Sequence, residues 1–179
     1  MILAAILGAT VPLAELSPLA DTAGALRLLD TASVSAGFHW GIPCGRLSFL
    51  PAVPAIRLGA SSSYADGIRA TAFLQYAQLP DSIDIRYAST GAGLELLLPM
   101  KFSLAGMLVL HYARSTTPHD PPLLLDGGES EFGTDLRLAW TTTSGRWSFR
   151  PGAQASVAFT RPSPSWWIWS GLDASWSLW

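Results

Sequence analysis

The chain has 179 residues, of which 49% are hydrophobic and only 13% are charged. A soluble domain typically carries about 25% charged residues, so this composition is unusual for a soluble protein. The formal net charge of −2 argues against nucleic acid as a partner, and the single cysteine excludes a disulfide framework. Beyond the N-terminus the chain contains no run of about 18 apolar residues, which a transmembrane helix would require. The apolar residues must therefore be distributed along the chain.

The N-terminal residues 1–22 have some features of a targeting segment. Met1–Thr10 is apolar, has the length of a signal-peptide h-region, and is followed by small residues near Ala20. A secretory signal also begins with positive charge, whereas the first basic residue here is Arg27. We expect a signal or N-terminal segment at 1–22 and one domain at 23–179. The alternative is that the first residues form a buried segment or a first strand.

Eight segments of the predicted domain alternate apolar and polar residues, as β-strands with two different faces do. In chain order they span residues 33–40, 55–61, 69–78, 82–87 with its continuation to 94, 102–112, 132–141, 147–160 and 166–179. The clearest is 147–160, where apolar residues occupy odd positions and polar or small residues occupy most even ones. The apolar positions change from odd to even between Tyr87 and Leu94, which predicts a β-bulge near residues 89–91.

These segments predict an all-β fold: a closed antiparallel up-and-down transmembrane β-barrel of about eight strands. Turn residues separate the segments, as at Asp66-Gly67 and Ser144-Gly145. With both ends of the barrel domain in the periplasm, the short breaks at 99–101 and 144–145 become periplasmic turns. The longest break, 115–129, then lies on the extracellular side, and this asymmetry is typical of membrane barrels.

Most charged residues of the predicted strands share one face of the sheet. Except for Lys101, all basic residues of the chain are arginines, which suit fixed, partly buried ion pairs. We therefore predict an ion-pair network in the barrel interior, with Arg27 and Arg46 as less secure members. The predicted network consists of Arg57, Arg69, Asp84, Arg86, Glu95, Asp135, Arg137, Arg150 and Asp173.

The eight tryptophans lie near the ends of the predicted strands. Indole rings favour the membrane–water interface, and membrane barrels carry an aromatic belt at each interface. The predicted extracellular belt consists of Trp40, Trp166, Trp167 and Trp169. The predicted periplasmic belt consists of Trp140, Trp147, Trp176 and Trp179.

With these features the chain resembles the small outer-membrane β-barrel proteins of Gram-negative bacteria. The last strand of those proteins characteristically ends in an aromatic residue that the assembly machinery recognises, and the segment Gly171–Trp179 ends in tryptophan. Trp179 departs from that pattern because it does not share the parity of the outward apolar set. The resemblance implies a bacterial outer-membrane location, with membrane lipid and the assembly machinery as partners.

The sequence favours a non-enzymatic role: an integral outer-membrane protein with a structural, interaction or minor transport function. It contains none of the metalloprotease, serine-hydrolase, phosphate-loop or redox motifs HExxH, GxSxG, P-loop and CxxC, and we expect no cofactor. The loop acids Asp120, Asp126, Glu129 and Glu131 could bind a divalent cation, but their spacing matches no calcium loop, so we expect them to be solvated.

Three alternatives remain open at this point. A soluble lipocalin-like barrel would bind a small apolar ligand inside, and its apolar face would point inward. An outer-membrane lipid-modifying enzyme would place His111 beside a serine of the outer rim, with Ser115 as the nearest candidate. A subunit of a larger envelope complex would show an unpaired edge or a flat apolar patch.

Overall fold

The computed structural model describes residues 32–45, 48, 51–78, 85–115, 129–159 and 165–178. Within these residues the chain forms mainly strands, with a turn of 3-10 helix at Pro99–Lys101. No helix among the described residues is long and apolar enough to cross a membrane. The strands are β1 (Ser33–Cys44), β2 (Val53–Ala65), β3 (Ile68–Gln78), β4 (Ile85–Leu97), β5 (Phe102–Ser115), β6 (Glu129–Trp140), β7 (Thr142–Ser144), β8 (Trp147–Ala158) and β9 (Ser165–Ser177).

The strands close into a barrel in which every pairing is antiparallel. Each strand from β1 to β6 pairs with the next, β6 and β7 both pair with β8, β8 pairs with β9, and β9 returns to β1. The three-residue β7 continues the path of β6 along β8 after an interruption at Thr141. The wall therefore has eight strands, and the predicted closed up-and-down barrel is confirmed.

The connections differ between the two ends of the barrel. At one end, the turn end, short connections at 66–67, 98–101 and 145–146 join the strands. Gly67 and Gly145 adopt φ angles of 73° and 61° there, a left-handed conformation in which a glycine is not strained. At the other end, the loop end, the longer connections span 45–52, 79–84, 116–128 and 159–164. This is the predicted asymmetry.

Side chains on the two faces of the wall have opposite polarity, and the polar face points inward. Leu136 and Leu138 of β6 are 56% and 48% exposed, whereas Asp135 and Arg137, which alternate with them, are 3% and 8% exposed. A soluble lipocalin-like barrel requires the reverse arrangement. That alternative is therefore wrong.

The β-bulge predicted near residues 89–91 is absent. The register of β4 with β3 and with β5 runs without a shift through this region. The irregularity described in this sheet lies instead between Ser63 and Ala65, where β2 pairs with β3. The prediction failed because it placed Tyr87 on the outer face, whereas its side chain is buried inside the barrel. The predicted boundary at residue 22 lies outside the described residues.

Inward-facing glycines make room for the largest interior side chains. Gly41 of β1 pairs with Trp169 of β9, and a Cβ atom added to Gly41 would overlap the six-membered ring of that indole. Trp169 is completely buried. Its packing inside the barrel therefore depends on the absence of a side chain at position 41.

The substitution Gly41→Ala should destabilise the barrel by about 1–3 kcal/mol, because an added methyl group overpacks the interior against Trp169. Gly106→Ala is the matched control, since a Cβ at Gly106 meets no atom within 4 Å. The free energy of unfolding in urea, measured on protein refolded into lipid vesicles, tests this. Equal stability of the two variants would contradict the packing argument.

Candidate functional site

The outer wall of the barrel is covered by large apolar side chains. The most exposed strand residues among them are Leu108 at 74% and Phe132 at 76%. Others on the same surface include Phe38, Ile56, Leu58, Leu74, Leu94, Leu96, Leu110, Leu136, Phe149, Ile168 and Leu172. Alternation sends these residues outward from every long strand, so the apolar surface is continuous around the barrel.

Aromatic side chains lie on the outer surface at both ends of this apolar wall. Five of the predicted belt residues point outward: Trp40 and Trp166 at the loop end, and Trp140, Trp147 and Trp176 at the turn end. The rings of Trp147 and Trp176 meet edge to face, with centroids 4.7 Å apart. Tyr76 and Tyr112, which the belt prediction omitted, also point outward near the loop end.

Two predicted belt residues, Trp167 and Trp169, lie inside the barrel instead. They are 5% and 0% exposed, and their rings stack on each other with centroids 5.3 Å apart. Both also contact the ring of Tyr87. The belt assignment was wrong because these two residues have the inward parity of Asp173 on the same strand. Trp179 lies outside the described residues.

An ion pair between Arg150 and Glu95 lies on the inner face toward the turn end. The Arg150 guanidinium donates to the carboxylate of Glu95 and to the hydroxyl of Ser103, the latter at 3.1 Å. Both charged residues are buried. Arg69 points inward from β3 at the position that pairs with Glu95. Three predicted network residues are thus brought together here.

A second cluster is centred on Asp173. Its carboxylate accepts a hydrogen bond from Nη2 of Arg137 and another from Nε2 of His39, the latter at 2.9 Å. All three side chains are buried. Sequence reasoning assigned no role to His39, although its parity in β1 places it on the inner face.

Arg57 is bound differently, because an amide connects it to a carboxylate. Its guanidinium donates to Oε1 of Gln154, and Nε2 of Gln154 donates to Oδ2 of Asp135 at 2.6 Å. The guanidinium also lies 3.8 Å above the centre of the Phe73 ring, a cation–π contact. Gln154 escaped sequence analysis because an uncharged residue on a polar face gives no signal for charge pairing.

One described member of the predicted network, Arg86, does not lie in this interior. Arg86 is exposed on the outer surface of β4, because Tyr87 beside it takes the inward position. The predicted parity of the segment 82–87 was therefore inverted. Asp84 lies outside the described residues, as do Arg27 and Arg46.

His111 is buried near the loop end and contacts the aromatic cluster. A hydrogen bond of 2.6 Å joins its Nδ1 atom to the hydroxyl of Tyr87, and the histidine is only 4% exposed. The ring lies inside the wall, four residues before the end of β5. The side chain of Ser115 lies outside the described set, so the geometry of a histidine–serine pair stays a prediction. Asp120 and Asp126 are also outside it, and the described residues contain no group of three metal-ligating side chains.

Comparison with known proteins finds solved structures that share the fold of this chain. No model of a protein family and no curated protein matches the sequence. Neisserial surface protein A matches with a TM-score of 0.66 at 11% identity, over 82% of this chain and 97% of that one. The crystal structure of Ail, the attachment invasion locus protein of Yersinia pestis, matches with a TM-score of 0.55 at 11% identity, over 82% of this chain and 97% of Ail.

A backbone structure of Ail, an outer membrane protein of Yersinia pestis, has also been determined in a phospholipid bilayer nanodisc. That structure matches with a TM-score of 0.54 at 12% identity, over 82% of this chain and 99% of Ail. The fold is that of the small outer-membrane β-barrels. The resemblance predicted from the sequence is thus confirmed for the fold.

The ion pair of Arg150 and Glu95 provides a test of the interior network. Arg150→Met should lower the free energy of unfolding by about 3–5 kcal/mol, since it leaves a buried carboxylate without its cation. The double variant Arg150→Met with Glu95→Gln should recover a large part of this loss, because the carboxylate that lost its cation is then replaced by a neutral amide. Urea unfolding in lipid vesicles measures both.

Arg146→Met is the control for this experiment, because Arg146 is exposed in a turn and its loss should change stability little. A double variant that loses the sum of the two single losses would show that the pair is not coupled.

Proposed function

We propose that this chain is an integral protein of the bacterial outer membrane, with a structural or interaction role and without catalysis. The observation that carries the proposal is the polarity of the wall, which is apolar outside and charged inside. Soluble monomers rarely expose contiguous apolar patches beyond a few hundred Å², whereas here the apolar surface surrounds the barrel. Hydrocarbon is the solvent that such a surface fits.

The strand lengths support the same proposal. A tilted strand needs about 9–11 residues to cross a bilayer, and the long strands have between 11 residues, in β3, and 14 residues, in β5. The closed sheet also leaves no edge, so the backbone groups of the wall are paired within it. Membrane lipid is then the partner of the outer surface, and insertion into the membrane requires the outer-membrane assembly machinery.

The filling of the barrel interior favours a structural role over solute transport. Phe73, Ala105, Met107 and Val109 form a buried apolar cluster on the inner face, and the guanidinium of Arg57 lies against Phe73 and Met107. An eight-stranded barrel has an interior just wide enough for side chains. These side chains occupy the space that a solute pathway would need.

Cell fractionation tests the proposed location. The protein should be recovered in the detergent-extracted outer membrane, and the unboiled sample should migrate faster on a gel than the boiled one, because a closed barrel stays compact until it is heated. Recovery in the soluble periplasm, with the same mobility before and after boiling, would refute the proposal.

The lipid-facing wall gives a second test. Leu58 lies near the middle of β2 and is 53% exposed, so Leu58→Arg places a charge in the hydrocarbon and should cost about 2–4 kcal/mol. Unfolding of the refolded protein in vesicles measures the loss.

Met100→Arg serves as the control, because Met100 is 82% exposed in a connection at the turn end and should tolerate the charge. If Leu58→Arg were as stable as Met100→Arg, position 58 would not face hydrocarbon.

A further inference from the structure

Two arginines lie side by side on the outer surface at the loop end. Arg86 of β4 and Arg114 of β5 are directly opposite in the strand register, and both are exposed. Within the described residues, neither guanidinium forms a salt bridge with a carboxylate. Like charges directly opposite on adjacent strands are destabilising. An anion that both guanidinium groups contact would remove this repulsion.

The neighbouring outward residues place this arginine pair at the boundary of the apolar wall. Tyr112 is the next outward residue on β5, and Tyr76 lies on β3 across Ala88 from it. Tyrosine rings favour the level of lipid headgroups. The arginines lie one step farther toward the loop end, at the level where headgroup phosphates lie if the wall is embedded in lipid.

An apolar groove opens on the same side of the barrel, nearer the middle of the wall. Its volume is ≈ 680 Å³. Small outward residues on four adjacent strands form part of its lining: Ala92, Gly106, Thr134 and Ala155. Larger residues also line it: Leu94, Leu108, Leu136, Val157 and Trp166.

The groove and the arginine pair share strands β4 and β5, so one molecule can reach both. From Arg114 to Leu108 the chain advances six residues, or about 20 Å along the strand. With a tilt of about 45°, this corresponds to about 14 Å of depth, close to half of a hydrocarbon core of about 30 Å. The groove therefore lies at the depth of the acyl chains of the leaflet whose headgroups reach the arginines.

We propose that Arg86 and Arg114 bind the phosphate of an anionic lipid, one acyl chain of which lies in the groove. This inference rests on the proposed membrane location. Arginine forms paired, charge-assisted hydrogen bonds with phosphate oxygens, and the groove supplies apolar contact below. A lipid fits better than a second copy of this chain, because a copy inserted in the same direction would bring its own arginines to the same level.

Native mass spectrometry of the detergent-solubilised protein tests the site. The probes are phosphatidic acid and phosphatidylcholine with identical acyl chains. The wild-type protein should bind one phosphatidic acid at least about tenfold more tightly than phosphatidylcholine. The double variant Arg86→Gln with Arg114→Gln should lose this preference. The size of the loss should match the removal of two basic residues that interact with an anionic lipid surface.

The matched control removes two positive charges from the opposite end of the barrel. Lys101 and Arg146 are exposed at the turn end, so Lys101→Gln with Arg146→Gln should keep the preference for phosphatidic acid. Loss of the preference in this control, or its retention in the arginine double variant, would overturn the proposal.

Two further measurements separate the parts of the site. Gly106→Leu should fill the groove and weaken the binding of both lipids severalfold while the preference for phosphatidic acid remains. Unchanged binding would show that no acyl chain occupies the groove. Excess glycerol 3-phosphate should not displace the lipid, and complete displacement would show that the site takes a soluble phosphate instead.

Heat-dependent gel mobility of every variant shows whether it forms the barrel. A wild-type chain that fractionates with the outer membrane but binds both lipids equally would refute this inference alone. A chain recovered in the soluble periplasm would refute the proposed function as well.

Discussion

The structure depends on the alternation of side chains along strands that close on themselves. Each residue points to the side opposite its neighbours. In a closed sheet, one set of side chains therefore faces the surroundings of the barrel and the other set faces its interior. Here the apolar side chains cover the outer surface of the barrel, and most charged side chains of the strands point into the barrel interior, from which most water is excluded. Every interior charge then needs a partner from another strand, since an isolated buried charge is costly. The ion pairs of the interior are a consequence of the apolar wall.

The interior satisfies this requirement with more than carboxylates. Asp173 is shared by an arginine and a histidine, and Gln154 connects Arg57 with Asp135. An amide can accept from a cation and donate to an anion at once, so it joins two charges that are not in direct contact. Glycines complete the arrangement, because Gly41 gives the ring of Trp169 its space.

Sequence reasoning predicted the wall better than the interior contacts. In β6 and β8 the alternation is regular, so the outward and inward sets are visible in the residues themselves. It failed at Tyr87, Trp167 and Trp169, where aromatic residues occupy inward positions and imitate an outer face. The pairing of Arg150 with Glu95 joins residues 55 positions apart and depends on strand register and stagger, which composition does not encode. Residues 1–31 and the longest connection lie outside what the structure describes.

The aromatic cluster of Tyr87, Trp167 and Trp169 bears on how such a protein can evolve. It lies between the charged interior and the loop end, together with Val53, Ala55 and Ala77. The packed rings thus lie between the ion pairs and the ends of the strands from which the loop-end connections leave. Connecting segments generally tolerate insertions and sequence drift better than the elements that they join. The barrel can thus stay the same while the sequences of the loop-end connections diverge between lineages.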